Sequence, residues 1–264
     1  MSGTAAAIRA DDATVGVLHV HSAYSHDGRD SLEQLHAFAA ARGIGFVALT
    51  DHAEDLSADR WDEYVARCRD ASDERVQLIP GLEFRFAGYT GLHLLALGLS
   101  RWIAPDTPGA FIAQAREAAR FTIAAHPILA HYRIPEEVRA GIDAIEVWNA
   151  AYNTRYLPDP RAIRVLHAIR RDRPEVVGTV GLDQHDARND RETRVVVPAS
   201  ARDPLAELRA GRFTNVGRTM RFDARVELGP ARLGALTMAR WAFDRVERAQ
   251  DRLARALRGR AASS

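Results

Sequence analysis

The sequence has one cysteine, Cys68, among 264 residues. That excludes an intrachain disulfide and a thiolate zinc knuckle, so any metal ion has to be held by imidazole and carboxylate, and a reducing cytoplasm fits. An excess of charge of either sign is also missing. With 36 Lys and Arg against 35 Asp and Glu, the formal net charge is +1, so no bulk electrostatic pull toward nucleic acid or a membrane is expected. No apolar run is long enough to span a bilayer. Residues 1–14 carry small side chains and Asp11-Asp12 but no basic region followed by an apolar one, so they are expected to form a flexible lead-in rather than a signal peptide. What remains is an ordinary globular composition, 47% hydrophobic and 27% charged, at a length that single α/β barrels commonly occupy.

Within that composition the informative stretch is Val15 to Asp27, V-G-V-L-H-V-H-S-A-Y-S-H-D. Its apolar, β-branched start predicts a buried strand. Residues two apart on a strand share a face, so His19 and His21 project together while Leu18 and Val20 point the other way. Ser31-Leu32-Glu33-Gln34 reads as a capping box opening a helix that buries Leu32, Leu35 and Phe38 and stops at Gly43. His36 on that helix is read as structural. A second apolar strand, Phe46 to Thr50, delivers Asp51 and His52, and two such strands joined by one helix predict a parallel βαβ unit.

The same alternation continues. A charged amphipathic helix is expected over Leu56 to Ser72, with Trp61, Tyr64 and Val65 facing inward and Cys68 a small buried hydrophobe. A third strand, Val76 to Leu82, ends at Glu83, and a fourth runs from His93 to Leu99. With Ala87 to Gly91 as the turn, the two form a hairpin that brings Glu83 and His93 to one end. A helix over Phe111 to Ala119 precedes a fifth strand, Phe121 to Ala125, which Pro127 ends just after His126. A sixth strand over Ile142 to Trp148, a helix over Arg161 to Arg171 carrying a structural His167, and a seventh strand over Val176 to Val180 lead to Asp183 and His185. Shorter strand pieces follow at Arg194 to Val197 and Gly211 to Val216. Residues 15–228 are thus expected to form one domain. Residues 229–264 are expected to form an amphipathic, arginine-rich helix packed on that domain or on a second copy of the chain.

The residues at these strand ends are His19, His21, Asp27, His52, Glu83, His93, His126, Asp183 and His185. In a barrel of parallel strands the C-terminal ends share one face, where catalytic groups collect. Burying so many ionisable groups without counter-charge is prohibitive, whereas divalent cations balance the carboxylates and keep imidazoles neutral. Nine nitrogen and oxygen donors exceed the needs of one tetrahedral ion, so two or three ions with Glu83 as a bridge account for them better.

Four pieces of this pattern, H-V-H-S-A-Y-S-H-D-G from His19, L-T-D-H at Leu49 to His52, Glu83 with His93 and the A-H-P at Ala125 to Pro127, and G-L-D-Q-H at Gly181 to His185, occur in the order found in a known family. The sequence resembles the polymerase and histidinol phosphatase (PHP) superfamily of metal-dependent phosphoesterases over about residues 15 to 200. That resemblance implies a distorted seven-stranded β/α barrel with a C-terminal helical extension, and a trinuclear site of zinc, manganese or iron. By it, His19, His21, Glu83 and Asp183 hold a first ion, Glu83, His93 and His126 a second, and Asp27, His52 and His185 a third. His26 is the neighbouring alternative to Asp27, and His131 matches no ligand position.

Clustered divalent ions suit phosphoester hydrolysis because bound water loses its proton near neutral pH, its pKa falling from about 15.7 toward about 7. Glu83, Asp183 and His52 are the candidate catalytic residues, and Arg85, Arg155 and Arg188 the candidate phosphate contacts. The expected substrate is a small phosphoester or a nucleotide. A short oligonucleotide is an alternative that would need a basic track and stacking rings, for which Tyr24 and Tyr89 are the nearest candidates. A metal-dependent amide or carbamate hydrolase is the rival from another reaction class, since it needs no cationic phosphate clamp. A binding module merely stabilised by metal predicts an incomplete donor set.

Overall fold

A computed structural model of the protein describes residues 13–154 and 156–261, with the backbone alone from residue 247 onward. It divides into two compact units, one ending at Val226 and one beginning at Glu227.

The first unit opens as the sequence predicts. Strand β1 (Ala13–Val20) leads through a loop to helix α1 (Leu32–Ala40) and strand β2 (Ile44–Leu49). The capping box is formed: the Ser31 hydroxyl accepts from the Gln34 amide, and the Gln34 side chain accepts from the Ser31 amide. Beyond Ala41, Gly43 at φ 64° supplies the left-handed residue that turns the chain back toward β2. Strands β1 and β2 pair in parallel, with Val17 beside Val47 and Leu18 beside Ala48.

After Thr50 the chain forms a two-residue strand, β3 (Asp51–His52), and then helix α2 (Ala58–Asp70), which buries Trp61, Tyr64 and Cys68. The expected third strand is split into β4 (Gln77–Ile79) and β5 (Gly81–Arg85), because Pro80 has no N–H to give the ladder. The hairpin is formed: β5 runs antiparallel to β6 (His93–Leu97), with Arg85 opposite His93.

Helix α3 (Pro108–Ala118) begins three residues before the expected Phe111. Thr107 caps it by accepting from the Ala110 amide, and Pro108 occupies the first turn, where no amide partner is needed. Strand β7 (Phe121–Ala125) coincides with the expectation, and a short helix α4 (Glu136–Arg139), unexpected from the sequence, precedes β8 (Ala144–Asn149). The Asp159-Pro160 pair opens helix α5 (Pro160–Ile169) in the same way as Thr107-Pro108 opens α3, ahead of β9 (Val177–Gly181). The remainder of the unit is β10 (Arg194–Pro198), helix α6 (Pro204–Arg209), β11 (Thr214–Val216) and β12 (Arg221–Asp223). Neither α6 nor β12 was expected.

These strands form two six-stranded sheets, ordered β12-β11-β10-β1-β2-β4 and β3-β5-β6-β7-β8-β9. The arrangement is mixed rather than uniformly parallel. Strand β6 is antiparallel to both neighbours, and the β10-β11-β12 meander runs antiparallel beside β1. Past the end of β9 the chain bonds to β1: Leu182 N–H donates to the Leu18 carbonyl at 2.9 Å, and Val20 pairs in parallel with Gln184. The core between the strands and α6 is apolar, with Leu18, Phe46, Leu95, Ile123, Trp148, Val180, Val195 and Leu205 all buried in it. Burying each such side chain stabilises the fold by roughly 1.5–3 kcal/mol.

The second unit is helix α7 (Pro230–Ala261), and its exposed side chains include Met238, Trp241 and Val246. The guanidinium of Arg245 lies over the Trp241 ring, 4.6 Å from its centroid. Among the described residues no helix is long and apolar enough to cross a membrane. Residues 1–12, the greater part of the expected flexible lead-in, lie outside the described residues.

Candidate metal centre

The strands deliver their terminal polar residues to one place. His19 and His21 leave β1 and the turn after it, His52 ends β3, Glu83 stands in β5 opposite Leu95, and His93 opens β6. His126 follows β7, while Asp183 and His185 follow β9. All nine donors expected from the sequence fall into four overlapping groups whose ligand atoms lie within 4.8 Å of one another: His21, Asp27, His52 and His185; His19, His126 and Asp183; His19, His21 and Glu83; Glu83, His93 and His126. The second and third groups together contain the set expected for a first ion, and the fourth is the set expected for a second. His21 joins the third set as well as the first, its ring stacked on that of His185 with centroids 4.1 Å apart.

The carboxylate of Glu83 is the hub. Its Oε1 lies 2.7 Å from His93 Nδ1, 3.3 Å from His126 Nε2 and 3.6 Å from His19 Nε2, and its Oε2 lies 3.1 Å from His52 Nδ1 and 3.5 Å from His21 Nε2. Asp183 Oδ1 approaches His19 Nε2 at 3.4 Å and His21 Nε2 at 3.5 Å. Asp27 faces the other side of the cluster, 3.3 Å from both His52 and His185. His26, its alternative, is an exposed residue that pairs through Nδ1 with Asp55 at 2.7 Å and stacks on His52, while its Nε2 lies 3.9 Å from Asp27, and it belongs to none of the four groups.

Electrostatics follow from this crowding. Burial pushes His19 down, but the carboxylates of Asp183, Glu146 and Glu83 outweigh it and hold its pKa well above the usual value. For His21 burial wins, aided by the neighbouring imidazoles, and its pKa is lowered. Burial raises Glu83, yet the imidazoles of His126, His19, His52 and His93 around it hold its carboxyl well below the usual range. Asp183 is depressed likewise by His19, His21 and His126, against the effect of burial. The carboxylates are therefore ionised and demand positive charge close by, which divalent cations supply while leaving the imidazoles neutral.

Two further observations test whether these residues suit a metal. The Nε2 atoms of His19 and His21 are buried and have no hydrogen-bond partner although carboxylate oxygens stand 3.4–3.6 Å away, a spacing that suits two ligands of one ion better than a hydrogen bond. In addition His19, His126 and Asp183 adopt φ of 64°, 23° and 50°, a left-handed region that ordinary side chains avoid and that clusters at functional sites. The residues fit an oxygen and nitrogen site for divalent metal.

Supporting groups lie beneath the donors. Asp51, fully buried, accepts from the Ser22 amide, the Ser22 and Ser25 hydroxyls and the Tyr64 hydroxyl at 2.7–2.8 Å. Ser25 Oγ in turn accepts from the His52 amide at 2.9 Å and lies 3.3 Å from His21 Nδ1. Glu146, also buried, accepts from His19 Nδ1. Neither carboxylate is among the donors expected from the sequence. Their signal was a charged residue inside an apolar strand for Glu146, and the Asp directly before a donor histidine for Asp51.

Of the expected phosphate contacts, Arg85 reaches the cluster: its Nη2 lies 3.1 Å from His52 Nε2, and its side chain is 42% exposed. Arg188 instead grips Asp186 through two nitrogens, with its side chain 78% exposed, and the pair holds the Asp186 pKa down at about 2. Arg155 lies outside the described residues. The ring beside the donors is Tyr152, in edge contact with His126 at 4.9 Å, whereas Tyr24 packs on Tyr64 at 4.8 Å. His36 pairs with Asp73 at 3.0 Å and His167 with the Val226 carbonyl at 2.8 Å, which are structural roles.

A search of curated proteins returned no match. Among solved structures, a protein from Bifidobacterium adolescentis provisionally described as a metal-dependent phosphoesterase is similar at 16% identity and TM-score 0.49, covering 65% of this chain and 88% of that one. An amidohydrolase from Chromobacterium violaceum, with bound sulfate and no metal, is similar at 16% identity and TM-score 0.41, covering 64% of this chain and 87% of that one. Residues 18–145 match the model of the PHP domain, a span that holds seven of the nine donors, from His19 to His126, and by this match the chain contains a PHP domain.

Proposed function

We propose that this chain is a metal-dependent hydrolase of phosphoric esters that acts on a small phosphoester or a nucleotide at a site for three divalent ions. In this reading β2 running through Thr50 into β3, β4 running through Pro80 into β5, and the return of the chain after β9 to β1 make the two sheets one distorted seven-stranded β/α barrel. The observation that carries the choice of phosphoester over amide is Arg85, a partly exposed guanidinium touching donor His52, in position to take a non-bridging phosphate oxygen.

Zinc, manganese or iron, when bound, would supply an acidified water and a counter-charge for the developing phosphorane-like oxygens. The protein's part is orientation. His19, His21, Glu83 and Asp183 would hold one ion, Glu83, His93 and His126 another, and Asp27, His52 and His185 a third. Glu83 would be shared between two of these sets, Arg85 would orient the phosphoryl group, and the exposed Tyr152 at the rim would offer a face for the leaving group. Ser25 and Asp51 fix His21 and His52 from below.

The test is elemental analysis together with turnover of p-nitrophenyl phosphate and bis-p-nitrophenyl phosphate by wild type, Glu83→Gln and Arg85→Ala. The expected result is two or more metal equivalents in wild type, a loss of at least about 100-fold in turnover for Glu83→Gln with fewer equivalents bound, and for Arg85→Ala a fall in kcat/KM of about 10- to 100-fold, roughly 1.4–2.8 kcal/mol, with metal retained. Full metal occupancy without turnover of either ester overturns the phosphoester reading and directs the search to amides and carbamates. A wild type without metal overturns the site.

A further inference from the structure

Glu146 stands in the middle of β8, between Ile145 and Val147, and its side chain is fully buried. A carboxylate is costly to bury unless its oxygens are satisfied. Here Oε1 accepts from His19 Nδ1 at 2.9 Å, and Oε2 accepts from the His126 amide and from Asn149 Nδ2, each at 2.8 Å. One side chain thus ties together the ends of β1, β7 and β8. A fourth strand has made room for it: a Cβ built on Gly181, the last residue of β9, would lie 1.7 Å from Glu146 Oε1 and 2.5 Å from its carboxyl carbon. Gly181 is at ordinary backbone angles, as no positive φ is found there, so space for the carboxylate and not conformation is what requires glycine.

The bonds at Oε1 and Oε2 act on two donors that are hard to hold. A carboxylate can only accept, so Nδ1 of His19 carries the proton and Nε2 presents its lone pair. That Nε2 is the buried atom with no hydrogen-bond partner, directed at Asp183 and Glu83. His126 sits at φ 23°, where its backbone has few ways to be stabilised, and its amide is pinned by Oε2 while its Nε2 meets Glu83. We propose that Glu146 is the positioning residue of this centre, fixing the tautomer of His19 and the strained backbone of His126 so that both Nε2 atoms face the ions, and that Gly181 is glycine to admit it. The proposal rests on the metal-site reading above. Outer carboxylates that hold ligand histidines in this way raise metal affinity by about 10- to 100-fold.

The experiment compares wild type, Glu146→Gln and Gly181→Ala, which disturb the same bond from opposite sides. Three readouts are taken: stepwise zinc affinity by chelator competition, the thermal midpoint, and the long-range proton–nitrogen NMR signature of His19 with and without zinc. Both variants are expected to bind one zinc equivalent about 10- to 100-fold more weakly, and to lose the uniform Nδ1–H signature of His19. Glu146→Gln keeps its fold, because the amide oxygen still accepts from His126. If Gly181→Ala does not fold, Glu146→Gln alone decides. Unchanged stepwise affinities and an unchanged His19 signature in Glu146→Gln overturn the proposal. A wild type that binds no zinc overturns the metal-site reading instead, and the metal-free His19 signature then decides the role of Glu146 separately.

Discussion

Along the middle of the strands, Leu18, Leu95, Ile123 and Trp148 are buried against one another. One to three residues further on, at the strand ends, the contents change completely. Leu18 is followed by His19 at φ 64°, and Ile123 by Ala124, Ala125 and then His126 at φ 23°. The first region follows the usual rules of burial and backbone conformation. The second violates them in three ways at once, with buried charge, unpartnered nitrogens and left-handed backbone. The middle of the strands stabilises the fold, and the ends draw on that stability to hold groups in an arrangement that they would not adopt alone.

If that division is right, a cavity in the strand interior should cost stability without touching the site. Phe46→Ala is expected to lose about 3–5 kcal/mol in denaturant unfolding, and to lose the same amount with zinc present as without it, since its strand partners, Gly16 and Gln77, are not donors. A Phe46→Ala protein whose zinc affinity also fell more than a few-fold would dissolve the distinction. The complementary experiment removes the counter-charge instead. Chelation of the wild-type protein is expected to lower unfolding stability by about 2.7 kcal/mol relative to zinc at a hundred times its dissociation constant, with Glu83→Gln showing almost no response. The smallest effect sharpens the account of the backbone. His131 also has a positive φ, 51°, but is exposed and belongs to no donor group. His131→Gly should relieve strain that nothing requires and raise stability by up to about 1 kcal/mol, whereas glycine at Asp183 would relieve the same strain and remove a donor. A destabilised His131→Gly would show that the left-handed residues here are cheap and say little about the site.

The donors were legible in the sequence because each is a chemically distinct residue placed at the end of an apolar run, and an end of a run is what sequence patterning locates well. His126 before Pro127 and His19-x-His21 needed no tertiary knowledge. The hairpin joining Glu83 to His93 was also readable, from two apolar runs and a glycine-containing turn. The mixed sheet was not, because strand direction depends on which neighbours a strand meets, and nothing in Arg194 to Val197 announces an antiparallel place beside β1. The positions missed at the site are those whose meaning lies in a partner distant in sequence. Glu146 reads as a stray charge until His19 is found 127 residues away from it. Arg188 reads as a neighbour of His185 until Asp186, two residues before it, is seen to engage it first. Tyr152 follows no pattern at all, since a loop brings its ring to His126.

The parallel pairing of Val20 with Gln184 places the opening strand of the chain against a segment made much later. During synthesis, the earlier donors emerge and their strands can pair long before Asp183 and His185 leave the ribosome. A contact of such sequence separation is among the slowest to form, because closing the intervening chain costs entropy before any bond rewards it. The two ends of the site therefore meet only when most of the domain already exists. A chain stopped before Gly181 holds seven of the nine donors and neither Asp183 nor His185, which makes the return to β1 at Gln184 the step that completes the set.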